Sequence, residues 1–279
     1  MDEGATPTAS DAERVAGTGD RRLSLALALV REAGRHARAR AGRARVAWKG
    51  PGERVTDVDL AVQEHLVREI ATGFPGDGLV AEEARHGSGL ERAFVWVLDP
   101  LDGTNNYALG IPCFAVSVAV LRHGRPHAGV IHDPNTGFTC WALGGHGAYA
   151  DGVRLALRGR ELSDASNVSV RFPVSPGLRP LVHAWMTRYK FRAFGSVALH
   201  LAYAALGAVE VVVDDRAALW DIAAGAALLA EAGGALTAPD GRPLFPVAPV
   251  AYDGGPVPFV AGNRAAHAAT LALLGGHGP

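Results

Sequence analysis

Asp99 and Asp102 bracket Pro100-Leu101 and run directly into Gly103-Thr104. Two carboxylates three residues apart across a rigid proline can face one point, and the carbonyl between them can turn inward to join them. Hard divalent cations take such oxygen ligands, and magnesium keeps several waters that a phosphate can replace. The amides of a Gly-containing turn or helix start are suited to phosphate oxygens, so Gly103 and Thr104 add an anion cradle beside the acids. Cations about 4 Å apart can hold both the attacking and the leaving oxygen of an in-line displacement at phosphorus. Further acids stand at the ends of apolar stretches: Glu82-Glu83 after Gly78-Leu79-Val80-Ala81, Asp57 and Asp59 before an apolar helix, and Asp221 after Trp220. Taken singly, Glu82-Glu83 reads as a solvated face, and Asp57 and Asp221 as helix caps. Together they sit where loops gather into sites.

The elements that must position these acids are legible in outline. Asp20 to Ala44 is predicted as an amphipathic helix, and residues 1 to about 19 as a disordered tail. Lys49-Gly50-Pro51-Gly52 reads as a turn, and Thr56 or Asp57 as the cap of a helix carrying Leu60, Val62, Leu66 and Ile70. Ala93–Leu98 reads as a buried strand feeding the loop at Asp99-Pro100. Phe114–Leu121 and Ala128–His132 form a strand pair around the turn at residues 123–126. Ser196–Leu206 and Asp221–Ala232 are predicted helices, the second stopped by Gly233-Gly234. Val209–Val213 and Pro258–Ala261 are predicted strands, and Ala265–Leu274 a last helix. His200, on a predicted helix, reads as a packing or surface residue.

Composition sets the outer bounds. The chain has 279 residues, 48% hydrophobic content and a formal net charge of -1, enough for a large core and without the basic footprint of a nucleic-acid binder. Cys113 and Cys140 stand far apart with no CxxC, which fits a cytoplasmic chain without a disulfide framework or zinc site. The apolar run Leu23–Val30 is too short to span a membrane.

The longest motifs carry a family resemblance. Residues 96–107, Trp-Val-Leu-Asp-Pro-Leu-Asp-Gly-Thr-Asn-Asn-Tyr, and Trp220-Asp221-Ile222-Ala223-Ala224-Gly225, continuing to Glu231-Ala232-Gly233-Gly234, resemble the two signatures of the inositol monophosphatase family. Gly195-Ser196-Val197, Val55-Thr56-Asp57-Val58-Asp59 and Ala81-Glu82-Glu83 are similar to its shorter elements, and the likeness runs from about 20 to 275. The resemblance implies a layered α-β-α-β-α sandwich of the inositol monophosphatase/fructose-1,6-bisphosphatase type, with residues 20–150 and 151–279 as two subdomains of one unit. It implies a phosphomonoesterase using roughly two or three magnesium ions per site. Glu82, Asp99 and the Leu101 carbonyl would hold one ion, and Asp99, Asp102 and Asp221 another. Glu82 and Thr104 would polarise the attacking water, with Asp59 beside them. The Gly103 and Thr104 amides would hold phosphate, Glu83 would support the acids, and Lys49 would stand near the entrance loop. Gly195, Ser196, Val197 and Asp214 would meet the substrate. The resemblance further implies a lithium-sensitive homodimer that takes a small phosphomonoester, with no nucleic acid or membrane as partner.

The sequence departs from the family pattern around the substrate. Asp214 stands seven residues before Asp221, where inositol phosphatases usually carry a Glu that binds sugar hydroxyls, and it is one methylene shorter. Asp215 is a second candidate. The segment 163–189, with Phe172-Pro173 and Pro176-Gly177, is short and atypical, and a trimmed wall there would admit a larger or different substrate. Asn105 replaces the usual Thr, Lys or Arg. The same chemistry on histidinol phosphate, a sugar phosphate or a nucleotide 3'-phosphate is therefore an alternative, as is a family member acting mainly as a protein-binding partner.

Overall fold

A computed structural model describes residues 10–50, 52–84 and 87–275. The first element is α1 (Asp11–Thr18), inside the segment that composition marks as a tail. Ser10 and Glu13 close a capping box, and Asp11 is buried. Its carboxylate accepts from Trp141 Nε1–H at 2.7 Å and the Gly152 N–H at 2.8 Å, contacts that local sequence does not encode. The rest of the predicted tail, residues 1–9, lies outside the described residues. Next comes α2 (Arg21–Arg40), which ends four residues before the predicted Ala44. Ala41 leaves the helix with φ -55° and ψ 133°, and Gly42 turns the chain with φ 74°.

A hairpin of β1 (Val46–Gly50) and β2 (Glu53–Thr56) follows. Thr56 then caps α3 (Asp57–Gly73). A seven-stranded sheet is built from β3 (Gly78–Ala81), β4 (Phe94–Asp102), β5 (Ala115–Arg122), β6 (Arg125–His132), β7 (Thr139–Leu143), β8 (Gly147–Ala150) and β9 (Val153–Leu155), in sequence order. Only β3–β4 pair in parallel in this sheet. The short helix α4 (Thr104–Ala108) leaves the end of β4.

The remaining chain gives β10 (Asn167–Val170), α5 (Arg179–Met186), β11 (Lys190–Arg192), α6 (Val197–Leu206), β12 (Val211–Asp214), α7 (Leu219–Ala232), β13 (Ala235–Thr237), β14 (Phe259–Gly262) and α8 (Arg264–Gly275). Its strands form a five-stranded sheet in the order β11-β10-β12-β14-β13.

The layering follows from alternation along strands buried on both faces. On β4, Trp96 and Leu98 pack with Leu23, Val30, Val62 and Leu66 of α2 and α3. Val95 and Val97 face the other way, onto residues of α6 and α7. On β12, Val212 joins that central core, whereas Val211 and Val213 pack outward with Leu181, Trp185 and Ala266 of α5 and α8. The molecule is therefore the layered α-β-α-β-α sandwich that the family resemblance implied. α7 lies very close to its neighbours. A Cβ on Gly129 of β6 would come within 2.6 Å of the Ala224 carbonyl, and one on Gly225 within 2.5 Å of Leu201.

Candidate metal centre

β4 carries its apolar run straight into Asp99-Pro100-Leu101-Asp102, and the register against β5 breaks between Asp99 and Asp102. That irregularity frees both carboxylates from strict alternation. Gly103 then takes φ 94°, a left-handed conformation that suits glycine. From the central layer, Asp221 arrives in the first turn of α7, where its Oδ2 accepts the Ala218 N–H at 2.9 Å. Asp99, Asp102 and Asp221 each offer one oxygen within 4.8 Å of the others, and all three are buried.

Three buried acids this close resist ionisation. Burial, then the charges of Glu82, Asp102 and Asp221, push Asp99 well above the usual carboxylate range. Burial, then Asp102, does the same to Asp221. Asp102 is pushed up to about 6, mainly by burial, against the pull of Ser196, the Ala198 amide and Arg171. An all-oxygen set whose acids outweigh the single nearby arginine fits a hard divalent cation such as magnesium.

The other predicted residues surround this triad. Glu82 follows β3 in a single 3₁₀ turn, and its carboxyl lies beside Asp99. Lys49, from the β1–β2 hairpin, donates to Glu82 Oε1 at 2.8 Å and to Glu83 Oε1. Burial opposes the charge on Lys49, but Glu82 and Glu83 outweigh it and hold the ammonium above its ordinary value. Glu83 is pushed up to about 7 by burial and by the charge of Glu82. Asp59 sits at the start of α3, fully buried. One oxygen accepts the Thr56 amide and hydroxyl, and the other accepts the Thr104 hydroxyl at 2.8 Å. Thr104 Oγ also lies 2.9 Å from the Leu101 carbonyl, so its one proton serves two acceptors. Burial raises Asp59 against those hydrogen bonds.

The substrate-side expectations change in detail. Ser196 caps α6 and donates its hydroxyl to Asp102 Oδ2, while the Ala198 amide donates to the same oxygen at 2.6 Å. Ser196 thus holds a triad carboxylate in place. Val197 packs in the central core, which leaves Gly195 as the exposed residue of this segment. Asp214 is 1% exposed and folds back on its own turn, accepting the Arg216 and Ala217 amides at 2.8 and 3.0 Å. The shorter Asp reaches those amides, and its other oxygen is buried with no partner. His200 takes the packing role, fully buried, and its Nε2 accepts the Phe194 amide at 2.8 Å. Burial, then the charge of Arg171, lowers its pKa to about 3 and keeps it neutral.

Sequence reading missed Arg171. The residue follows β10 directly, and its guanidinium lies 3.6 Å from Asp221 Oδ2. The available signal was an arginine standing immediately after the alternating Asn167-Val168-Ser169-Val170 run.

Comparison with known proteins finds relatives along most of the chain. The profile of the inositol monophosphatase family matches residues 20–276. A Nus factor SuhB of Pasteurella multocida is 34% identical over 192 residues, 67% of this chain and 72% of that protein. A histidinol-phosphatase of Mycobacterium tuberculosis is 35% identical over 230 residues, 78% of this chain and 88% of that protein. Among solved structures, an IMPase of Thermotoga maritima superimposes with a TM-score of 0.80 at 29% identity, over 92% of this chain and 98% of that one.

Proposed function

As the chain belongs to the inositol monophosphatase family, we propose that it is a magnesium-dependent phosphomonoesterase acting on a small polyol or sugar-like phosphate. The observation that carries the reading is the buried triad of Asp99, Asp102 and Asp221, whose charge no neighbouring group of the protein neutralises fully. These carboxylates, with Glu82 and the Leu101 carbonyl, would hold roughly two or three magnesium ions. Bound magnesium supplies positive charge to the phosphoryl and leaving oxygens and raises the acidity of water.

The protein's own groups do the positioning. Asp59 accepts the Thr104 hydroxyl proton, which turns a lone pair of Thr104 Oγ toward the site to receive a hydrogen from the attacking water. Glu82 accepts the second hydrogen. The Gly103 and Thr104 amides hold the phosphate at the start of α4. Ser196 and the Ala198 amide fix Asp102 in one orientation. Lys49 steadies Glu82 and Glu83. The chemistry needs no histidine or cysteine nucleophile, and no covalent intermediate forms on the protein.

The test is phosphate release from a panel containing inositol 1-phosphate, histidinol phosphate, sugar phosphates and nucleotide 3'-phosphates, with and without magnesium. Release that requires magnesium supports the reading, and the best ester names the substrate class. Glu82→Gln should stay inactive even in excess magnesium, because its carboxylate serves the water as well as the ion. The relative named as a Nus factor favours a second reading, in which the chain mainly binds a protein partner. Silence toward every ester, with a partner retained in pull-down, would select that reading.

A further inference from the structure

β10 and β12 are parallel neighbours, with Val170 opposite Val213. Arg171 and Asp214 therefore leave the sheet side by side, at the strand ends that face the triad. The Arg171 guanidinium lies 3.6 Å from Asp221 Oδ2, too far for a hydrogen bond, and its side chain is 39% exposed. Among the described residues, no hydrogen bond engages any of its five N–H donors. Its nearby opposite charges are Asp221, Asp214 and Asp102, followed by Glu53. Two of these, Asp221 and Asp102, belong to the triad. Once cations take up that charge, the guanidinium keeps its fork of donors beside the site and loses the share of the negative field that Asp221 and Asp102 supplied, while Asp214 and Glu53 remain. Arg216 does not substitute for it, since its guanidinium donates to the Pro173 carbonyl and braces the adjoining loop.

We propose that Arg171 receives a second anionic substituent of the substrate, a carboxylate or a further phosphate, so that the preferred substrate is a phosphomonoester bearing such a group. This inference rests on the phosphatase reading and deepens it. A planar guanidinium with free donors matches either oxyanion in a two-pronged geometry. Neutral polyol esters offer it nothing of comparable strength. Placement beside Asp221 sets the spacing: the second anion must lie next to the phosphate, within reach of one small molecule.

The test compares esters matched except for the second anion. Glycerol 2-phosphate is set against 2-phosphoglycerate, and adenosine 2'-monophosphate against adenosine 2',5'-bisphosphate, which separates carboxylate from phosphate. At saturating magnesium, the anion-bearing member of at least one pair should have the higher kcat/KM, mainly through KM. Arg171→Met should reduce that preference about tenfold, and Arg171→Lys should restore part of it. Calorimetry with two phosphonates that are not hydrolysed gives a readout independent of turnover. Phosphonoacetate should bind the magnesium-loaded protein more tightly than methylphosphonate, and Arg171→Met should erase the difference. Equal binding of both phosphonates, or equal weakening of both in Arg171→Met, would overturn the assignment and leave Arg171 as a mere counter-charge to Asp221. If no ester is hydrolysed but the phosphonate preference persists and depends on Arg171, the phosphatase reading fails and the anion site stands.

Discussion

At the scale of single residues, Asp99, Asp102 and Asp221 are held against ionisation by burial and by one another. Asp221→Asn keeps an oxygen to accept the Ala218 amide while removing one charge from the cluster. Without magnesium this variant should melt higher than the parent, since it removes a repulsion from Asp102 that outweighs the attraction of the nearby Arg171. Turnover should fall by about three orders of magnitude, as expected for losing several kcal/mol of charge stabilisation. Melting curves and phosphate release check both halves, and an unchanged rate would remove Asp221 from the mechanism. The same acids set a pH dependence. Unfolded carboxylates ionise near pH 4, whereas Asp102 holds its proton to about 6 and Glu83 to about 7. Their contribution to stability is full below the unfolded value and is lost as pH rises through the folded ones. On the proposed function, magnesium would displace the Asp102 proton, so the rise in melting temperature on adding magnesium should grow steadily between about pH 4 and 6. A magnesium increment that is flat with pH would refute this coupling. The triad was legible because the acids end apolar runs. Arg171 and the inward fold of Asp214 were not, because each depends on a neighbouring strand far away in sequence.

At the scale of elements, Asp221 can only be as well placed as α7, and α7 is seated by contact with β6. Gly129→Ala would put a methyl 2.6 Å from a backbone carbonyl of that helix. Neither side is a flexible side chain, so the helix must shift. The expected cost is about 1–3 kcal/mol of stability, together with weaker magnesium binding by calorimetry. A variant with parent-like stability and affinity would show that α7 is not seated there. The strands β4, β5 and β6 and helices α6 and α7 could be read from sequence because their apolar runs are long and uninterrupted. The hairpin β1–β2 could be read only as a turn. Its strands are largely exposed, with Trp48 63% accessible beneath the Arg54 guanidinium, so no alternation marks them. α1 was hidden for another reason: its anchoring partners, Trp141 and Gly152, lie on the far side of the sequence.

At the scale of the whole molecule, α1 fastens residues 11–18 to the large sheet. Asp11→Ala would leave the Trp141 and Gly152 donors buried without an acceptor and release Arg31. About 1–3 kcal/mol of stability should be lost, with kcat unchanged because these contacts lie away from the triad. Denaturant unfolding and steady-state rates measure the two separately, and a drop in kcat would mean the helix reaches the site. The triad itself straddles layers: Asp99 and Asp102 end a strand of the seven-stranded sheet, and Asp221 opens a helix of the central layer. A cation can gather all its oxygens only after those layers have closed on each other. Ion binding, on the proposed function, would thus be reserved to the finished molecule, and its free energy would fall on that side of the folding equilibrium. A bound ion would act as a rivet through the seam. A chelator should loosen the central helices from the large sheet while leaving that sheet's strands paired.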